Sequence, residues 1–461
     1  MKKQSSATLD LTKGPILPLM IKFCLPILLG NIMQQFYNAV DAAVVGHYVG
    51  TTALAAVGAT GSLTFLVLGF VNGASAGFCI PLSQAFGAGN ESLMKRIVWN
   101  MIYISAALSV ILATVTTLLL RQTLVLMDFP SDIINDSLIY LRVIFLGIPA
   151  TMAYNVMAGL MRSMGNSKAP LVILVAASLT NVVLDLLFIR VLNLGVFGAA
   201  SATIISQICS AVACFIYIVK NYPLFSVKNT SKSERKLDTA VSAKLLSSGI
   251  PMALQFSITA IGSILIQKAV NGFGTTTVAA ISAAYKVQSI LILFYDTIGV
   301  TVSTWCGQNV GAKNYDRIKK GVFTALGLAA AYSVVMGLIG CFLGDKISLI
   351  FIDKSEANLE ALLEIIREFL KINCSFYLAL ATLNVFRYAL QGLGYGFTAM
   401  FAGIFEMIAR SLVALVAVDI FGFTAICYAN PMAWLAACLL LIPACLVVFP
   451  RIRKRLTSTK E

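Results

Sequence analysis

The heptapeptide QAFGAGN at residues 84–90 returns as QNVGAKN at residues 308–314, an offset of 224. The same offset carries GTTALAAV at 50–57 onto GTTTVAAI at 274–281, and Lys95 onto Lys319. Pro26 and Pro251 stand 225 apart, and RSMGNSKAP around Gly165 faces QGLGYGFTA around Gly394. Chance would not keep one register this long, so the chain carries an internal duplication. Whatever one half builds, the other builds again.

What is built follows from composition. Of 461 residues, 59% are hydrophobic and 12% charged, against about 25% charged in a soluble domain. Mean hydropathy is +0.88. Runs near the roughly 20 residues needed to cross hydrocarbon recur at about 16–46, 53–82, 97–120, 138–160, 170–190, 196–219, 245–271, 278–305, 321–344, 366–390, 398–420 and 424–449. A lipid-exposed backbone must satisfy its own hydrogen bonds, so these spans are helices. The alternating ten-residue segments of a barrel are not seen.

The fold class expected is an all-α integral membrane protein of twelve transmembrane helices in two six-helix lobes. Six is even, so both halves enter from one side, which makes the repeat parallel, about a pseudo-two-fold axis along the membrane normal. The division expected is an N-lobe at 1–219, a polar linker at 220–244, and a C-lobe with a basic tail at 245–461. Two such bundles enclosing a cleft that opens to either side by rocking describe a transporter.

A net charge of +14 could suggest nucleic acid, but its placement does not. Basic residues gather at Lys95 and Arg96, Arg162 and Lys168, along the linker (Lys220, Lys228, Lys232, Arg235, Lys236, Lys244), at Lys313, Arg317, Lys319 and Lys320, and in the tail RIRKR at 451–455. The alternate loops carry Asp128, Asp132 and Asp136, or Asp353, Glu356 and Glu360. This positive-inside pattern puts both termini in the cytoplasm of a multi-pass protein. The basic tail also suits anionic lipid. No nucleic-acid partner is expected. The N-terminus MKKQSSATLDLTKGP lacks a signal-peptide cleavage pattern. Ten scattered cysteines without a CxxC pair suit small buried thiols.

Within the first span, QQFYNAVDAAVVG at 34–46 holds Asp41 with no basic neighbour. A central aspartate costs roughly 2.5 to 3.5 kcal/mol on insertion scales, so it needs a reason to be there. Asn31, Gln34, Asn38 and Asp41 follow i, i+3, i+7, i+10, one helix face bordered by Tyr37. Ser178, Asn181 and Asp185 share a face of span 5, and span 6 offers Thr203, Ser206 and Gln207. Faces like these meet inside a bundle. They would form an all-oxygen cage suited to a hard cation such as sodium, or to a shared proton.

The plainer alternative is interhelical glue, at roughly 0.6 kcal/mol per bond. It suffices for Asn31 or Ser178 alone. It does not explain two carboxylates with no Lys or Arg beside them.

Gly69, Gly73 and Gly77 read as a packing ridge, and Glu406 with Arg410 as an i, i+4 pair. Lys268 and Arg387 are expected to snorkel to the surfaces, and His47 to sit at an interface. Asp296 divides between substrate contact and structure. No Walker A motif is present, and a single histidine excludes HExxH.

At these residues the chain resembles the multidrug and toxic compound extrusion (MATE) family over nearly its whole length. The paired G-A-x-N loops carry the likeness, and YNAVDAAVVG, NVVLD and GAASATIIS resemble spans 1, 5 and 6 of the DinF-like branch. The resemblance implies cation ligation by Asp41, Asn181, Asp185 and Thr203, as a sodium site if the ion is sodium. It also implies a substrate cleft near Tyr37, Asn38 and Asn155, to which Gln34, Gln255 and Asp296 are added, and a hinge at Pro26. NorM-like members carry a span 7 carboxylate where this chain offers Gln255, which argues against a C-lobe cation site.

The expectation is a cation-coupled (proton or sodium) antiporter of a bacterial cytoplasmic membrane, without cofactor and functional as a monomer. It would export amphipathic or cationic organic compounds. The alternatives are a lipid-linked oligosaccharide flippase of the same superfamily and a membrane-embedded enzyme. Few basic residues at membrane depth disfavour the first, and the lack of a nucleophile–base constellation disfavours the second.

Overall fold

The structure, a computed structural model, describes residues 8–127, 129–352 and 358–458. Asp128, Asp353 and Glu356, part of the acidic-loop pattern, lie outside the described residues. The first half builds α1 (Ile16–Tyr48), α2 (Thr51–Ala59), α3 (Gly61–Gly87), α4 (Glu91–Leu126), α5 (Ile134–Leu146), α6 (Ile148–Ser163), α7 (Lys168–Asp185) and α8 (Gly195–Asn221). A short α9 (Lys232–Arg235) lies in the linker. The second half builds α10 (Thr239–Asn271), α11 (Thr275–Gly311), α12 (Tyr315–Ser348), α13 (Leu359–Ser375), α14 (Tyr377–Gly392), α15 (Gly396–Leu412), α16 (Val418–Phe421) and α17 (Phe423–Ser458). Among the described residues ten stretches are long and apolar enough to cross a membrane unaided, and counting each of two bent pairs as one span brings the total to twelve.

The repeated motif turns out to be turn chemistry. After α3 the chain makes a left-handed step at Gly89 (φ 65°), and after α11 the equivalent step falls on Lys313 (φ 54°). Asn90 then caps α4 by accepting from Leu93 N–H at 3.0 Å, and Asn314 caps α12 by accepting from Arg317 N–H at 3.2 Å. The asparagine satisfies one of the orphan donors of a helix start. The other echoed glycine, Gly165 (φ 82°), has a second constraint: a Cβ there would lie 1.9 Å from the Leu9 carbonyl oxygen.

Several spans are not single rods. The second breaks at Thr60 between α2 and α3. The pairs α5–α6 and α13–α14 bend by 46° and 49°. Span 5 ends in a π-helical segment, Leu186–Val191, and span 11 contains another, Val413–Ala417. The duplication therefore extends to the placement of these wide turns, a form enriched at functional sites.

The chain forms two compact units, one of Met1–Lys13 and Ile21–Ala253, the other of Gly14–Met20 and Leu254–Glu461. The boundary thus falls within α10, not at the linker. A packing reason lies in the first unit. A Cβ on Gly73 would meet Met252 O at 2.5 Å, and one on Gly77 would meet Ser248 O and Gly249 Cα at 2.5 Å. The glycine ridge lets α3 lie backbone to backbone on the start of α10. The linker is anchored to α4 by Asn100, whose Oδ1 accepts from Asp238 N–H at 2.8 Å and from Ser242 Oγ at 3.0 Å.

Two sequence expectations need correction. Arg387 does not snorkel. It is buried in α14 and donates to Glu406 of α15, because a carboxylate within the same unit neutralises it where it stands. The thiols are mostly buried, but Cys209 is exposed and Cys341 half-buried.

Candidate functional site

Three helices of the first unit bring Asp41, Asn181, Asp185 and Thr203 together. Asp185 is the last residue of α7, immediately before the π-helical turn, and is fully buried. Asn181, one turn earlier, is 1% exposed. With its amide turned to match its surroundings, its nitrogen donates to Asp185 Oδ2 at 3.0 Å and its oxygen accepts from Thr203 N–H at 3.2 Å. Asn181 thus fixes one oxygen of Asp185 and ties α7 to α8. The Asp41 and Asp185 carboxyl groups stand within hydrogen-bond reach of each other, and the Tyr37 hydroxyl stands within reach of Thr203.

Two carboxylate oxygens are left over. Oδ1 of Asp41 and Oδ1 of Asp185 are both buried with no hydrogen-bond partner. None of the ion pairs among the described residues involves either aspartate. Removing one member of a buried pair is costly because the other charge is left uncompensated. Among the described residues no cationic side chain pairs with either aspartate, so the two carboxyl groups lack the positive member that such a pair normally has.

A cavity of about 20 Å³ next to Asn181 and Thr203 is lined by Gln34, Tyr37, Ser178, Asn181, Thr203 and Ser206, among others, and by neither carboxylate. That is room for about one water-sized particle. Gln207 Oε1 and Ser206 Oγ are buried nearby without partners. The oxygen-rich donor set suits a hard ion and lacks the nitrogen or sulfur that a transition metal prefers.

The remaining sequence candidates are placed differently. Asn38 is exposed on α1 and donates to Gln35 Oε1 at 3.4 Å. Asn155, on α6, donates to Asn72 Oδ1 at 2.7 Å, outside the carboxylate cluster. Gln255 is buried and accepts from Gln391 Nε2 at 2.8 Å, so its polar end is engaged within the second unit. Pro26 is buried within α1, where its ring leaves a carbonyl one turn back without an N–H. Tyr140 of α5 was missed: it lies within electrostatic range of Asp41, Tyr37 and Asp185. Its only sequence signal is one tyrosine in an apolar run.

The second unit holds a contrasting cluster. Glu406 accepts from Arg387 at Oε1 and from Arg410 Nη2 at Oε2, 3.5 Å, while Arg410 Nε donates to Asn430 Oδ1 at 3.3 Å. All three charged side chains are buried. The i, i+4 pair read from sequence is real, and Arg387 from another helix completes it. Asp296, exposed on α11, lies in the field of Arg387.

Comparison with known proteins agrees with this architecture. The family model MatE matches residues 26–187 and 251–416, one segment in each half. The probable multidrug resistance protein YoeA of Bacillus subtilis (strain 168) is 28% identical over 338 residues, covering 72% of this chain and 73% of its own length. YpnP of the same organism, also a probable multidrug resistance protein, is 30% identical over 310 residues, covering 67% and 68%. Among solved structures, an outward-facing multidrug resistance MATE family transporter of the MOP superfamily superposes with a TM-score of 0.86 at 19% identity, covering the whole of both chains. These relatives are transporters and not enzymes. With the family model matching each half in register and twelve spans arranged around it, the chain belongs to the MatE (multidrug and toxic compound extrusion) family of multidrug efflux transporters.

Proposed function

We propose that this protein is a cation-coupled antiporter that exports amphipathic or cationic organic molecules by rocker-switch alternating access. The observation that supports coupling is the pair of buried, unpartnered carboxylate oxygens on Asp41 and Asp185. Loading that pair with a proton or sodium ion removes a buried negative charge, and unloading restores it. The two states of the transporter then differ in cation affinity, and that difference drives exchange against drug. Asn181 and Thr203 complete the cation site, and Tyr37 and Tyr140 wall it. Placing the site in the first half accords with membership of the DinF-like branch.

Asp296, exposed and negative, is the side chain best suited to attract a cationic substrate, with Gln34, Asn38 and Asn155 as further polar contacts. Pro26 serves as the hinge of α1, since a missing backbone bond makes bending cheap at that point. The basic linker and tail face the cytoplasm of a bacterial inner membrane, and the protein works as a monomer. Cysteine labelling of the 220–244 linker tests this orientation; reactivity from outside would reverse the transport direction.

The decisive test of coupling is efflux from proteoliposomes under a proton gradient alone, then a sodium gradient alone. One of the two should drive transport against a drug gradient. Drug movement indifferent to both would remove coupling from the account.

A further inference from the structure

We propose that the first unit carries a site for an anionic phospholipid, with its phosphate on Arg235 and Trp99 and one acyl chain in a groove between α4, α6 and α8. The groove has a volume of about 640 Å³, within the roughly 300–1,000 Å³ usual for ligand pockets. Its walls are Val98 to Val110 of α4, Pro149 to Leu160 of α6 and Phe215 to Val219 of α8, nearly all apolar. Val110 and Phe215 on its rim are 57% and 60% exposed, so it opens outward from the unit. From Val98 to Val110 a helix rises about 18 Å, or roughly one leaflet of a 30 Å hydrocarbon layer.

Chemistry at the linker end selects the occupant. Phe225 and Val227 cap the groove there, and Trp99 lines it. The Arg235 guanidinium lies 6.0 Å above the Trp99 ring, and its backbone is held by Tyr103, whose hydroxyl donates to Arg235 O at 2.9 Å. Nε of Arg235 and Nε1 of Trp99 are both buried donors without acceptors. Neighbouring acids offer neither an acceptor: Glu234 pairs with Lys95 at 3.7 Å and Asp238 with Arg96 at 3.5 Å. Lys220 and Lys228 stand exposed close by in sequence.

Two orphan donors, a guanidinium outside every ion pair among the described residues and a half-bilayer of apolar wall match one molecule. A phosphodiester supplies the acceptors and the negative charge, and a fatty acyl chain fills the wall. A zwitterionic lipid supplies the same chain but cancels the charge that Arg235, Lys220 and Lys228 attract. A positive charge near an anionic headgroup contributes about 1 kcal/mol.

The test is native mass spectrometry of the full-length protein in detergent, titrated with phosphatidylglycerol or phosphatidylcholine of equal chain length. One phosphatidylglycerol should be retained in preference to phosphatidylcholine. Arg235→Gln should reduce that preference about fivefold, the equivalent of about 1 kcal/mol, with an unchanged unfolding temperature. Ala106→Trp, an exposed substitution that fills the groove, should abolish retention of both lipids. Ala153→Phe on the opposite wall repeats the test should Ala106→Trp fold poorly. Equal retention of the two lipids, or parental binding in Arg235→Gln, would overturn the proposal.

Discussion

Asp41 and Asp185 in the first unit, and Glu406 with its two arginines in the second, are both buried charge clusters on opposite halves of one duplicated sequence. The offset of 229 that relates Gly165 to Gly394 carries Asn181 onto Arg410, and the offset of 225 that relates the two prolines carries Asp41 onto Ile266. Each half keeps a π-helical segment in the corresponding span. The framework is therefore shared, and the chemistry laid on it has diverged. In the second half a guanidinium replaces the amide, an isoleucine replaces the aspartate, and Glu406 is held between Arg387 and Arg410. In the first half no cationic side chain among the described residues pairs with Asp41 or Asp185. A cluster that carries its own counter-charge is fixed structure, whereas one that must borrow it can respond to the surroundings.

If that contrast is correct, neutralising a carboxylate should have opposite consequences in the two halves. The largest stability effect is expected for Glu406→Gln, which leaves two buried guanidinium groups short of a counter-ion. The cost should be about 3–5 kcal/mol, visible as a large fall in thermal unfolding temperature. Asp41→Asn removes an uncompensated charge and should leave the unfolding temperature equal to or above that of the parent. A loss of stability in Asp41→Asn matching that in Glu406→Gln would erase the distinction.

A second expectation concerns non-additivity. Asp41→Asn and Asp185→Asn should each abolish transport against a gradient, and the double variant should be little worse than either, because the two act as one site. Independent, additive losses would mean two separate functions. Next in size, Pro26→Ala should restore a backbone bond in α1 and slow drug exchange while membrane insertion stays intact. Parental rates would show that the hinge is not needed. The smallest effect is expected for Tyr140→Phe, which removes one hydroxyl from the wall of the site. Cation affinity measured by equilibrium binding should fall by no more than about fivefold. A complete loss would promote Tyr140 to a ligand.

The twelve spans were legible because length and continuous apolarity are properties of a local window. The breaks within them were less so. Nothing at Phe376 signals a 49° bend, since neither glycine nor proline stands at that position and the bend is set by packing around it. Spacing marked one polar face on α1, of which Gln34 lines the small cavity while Asn38 stands exposed, and Asp41 stood out because burial of a lone carboxylate is costly. Tyr140 could not be picked out, because a lone tyrosine in an apolar helix has the same pattern whether it walls a site or fills a core. Arg387 was misread for a related reason. Its partner Glu406 lies 19 residues away on another helix, and only the tertiary fold brings them together.

The most direct test sets Asp41→Asn against Asp296→Asn in proteoliposomes, measuring drug efflux against its gradient under whichever ion gradient drives the parent. Asp41→Asn is expected to insert and fold normally yet show no uphill transport, while Asp296→Asn continues to pump with an altered drug preference. Uphill transport by Asp41→Asn together with its loss in Asp296→Asn would place the coupling site in the second half and contradict the account.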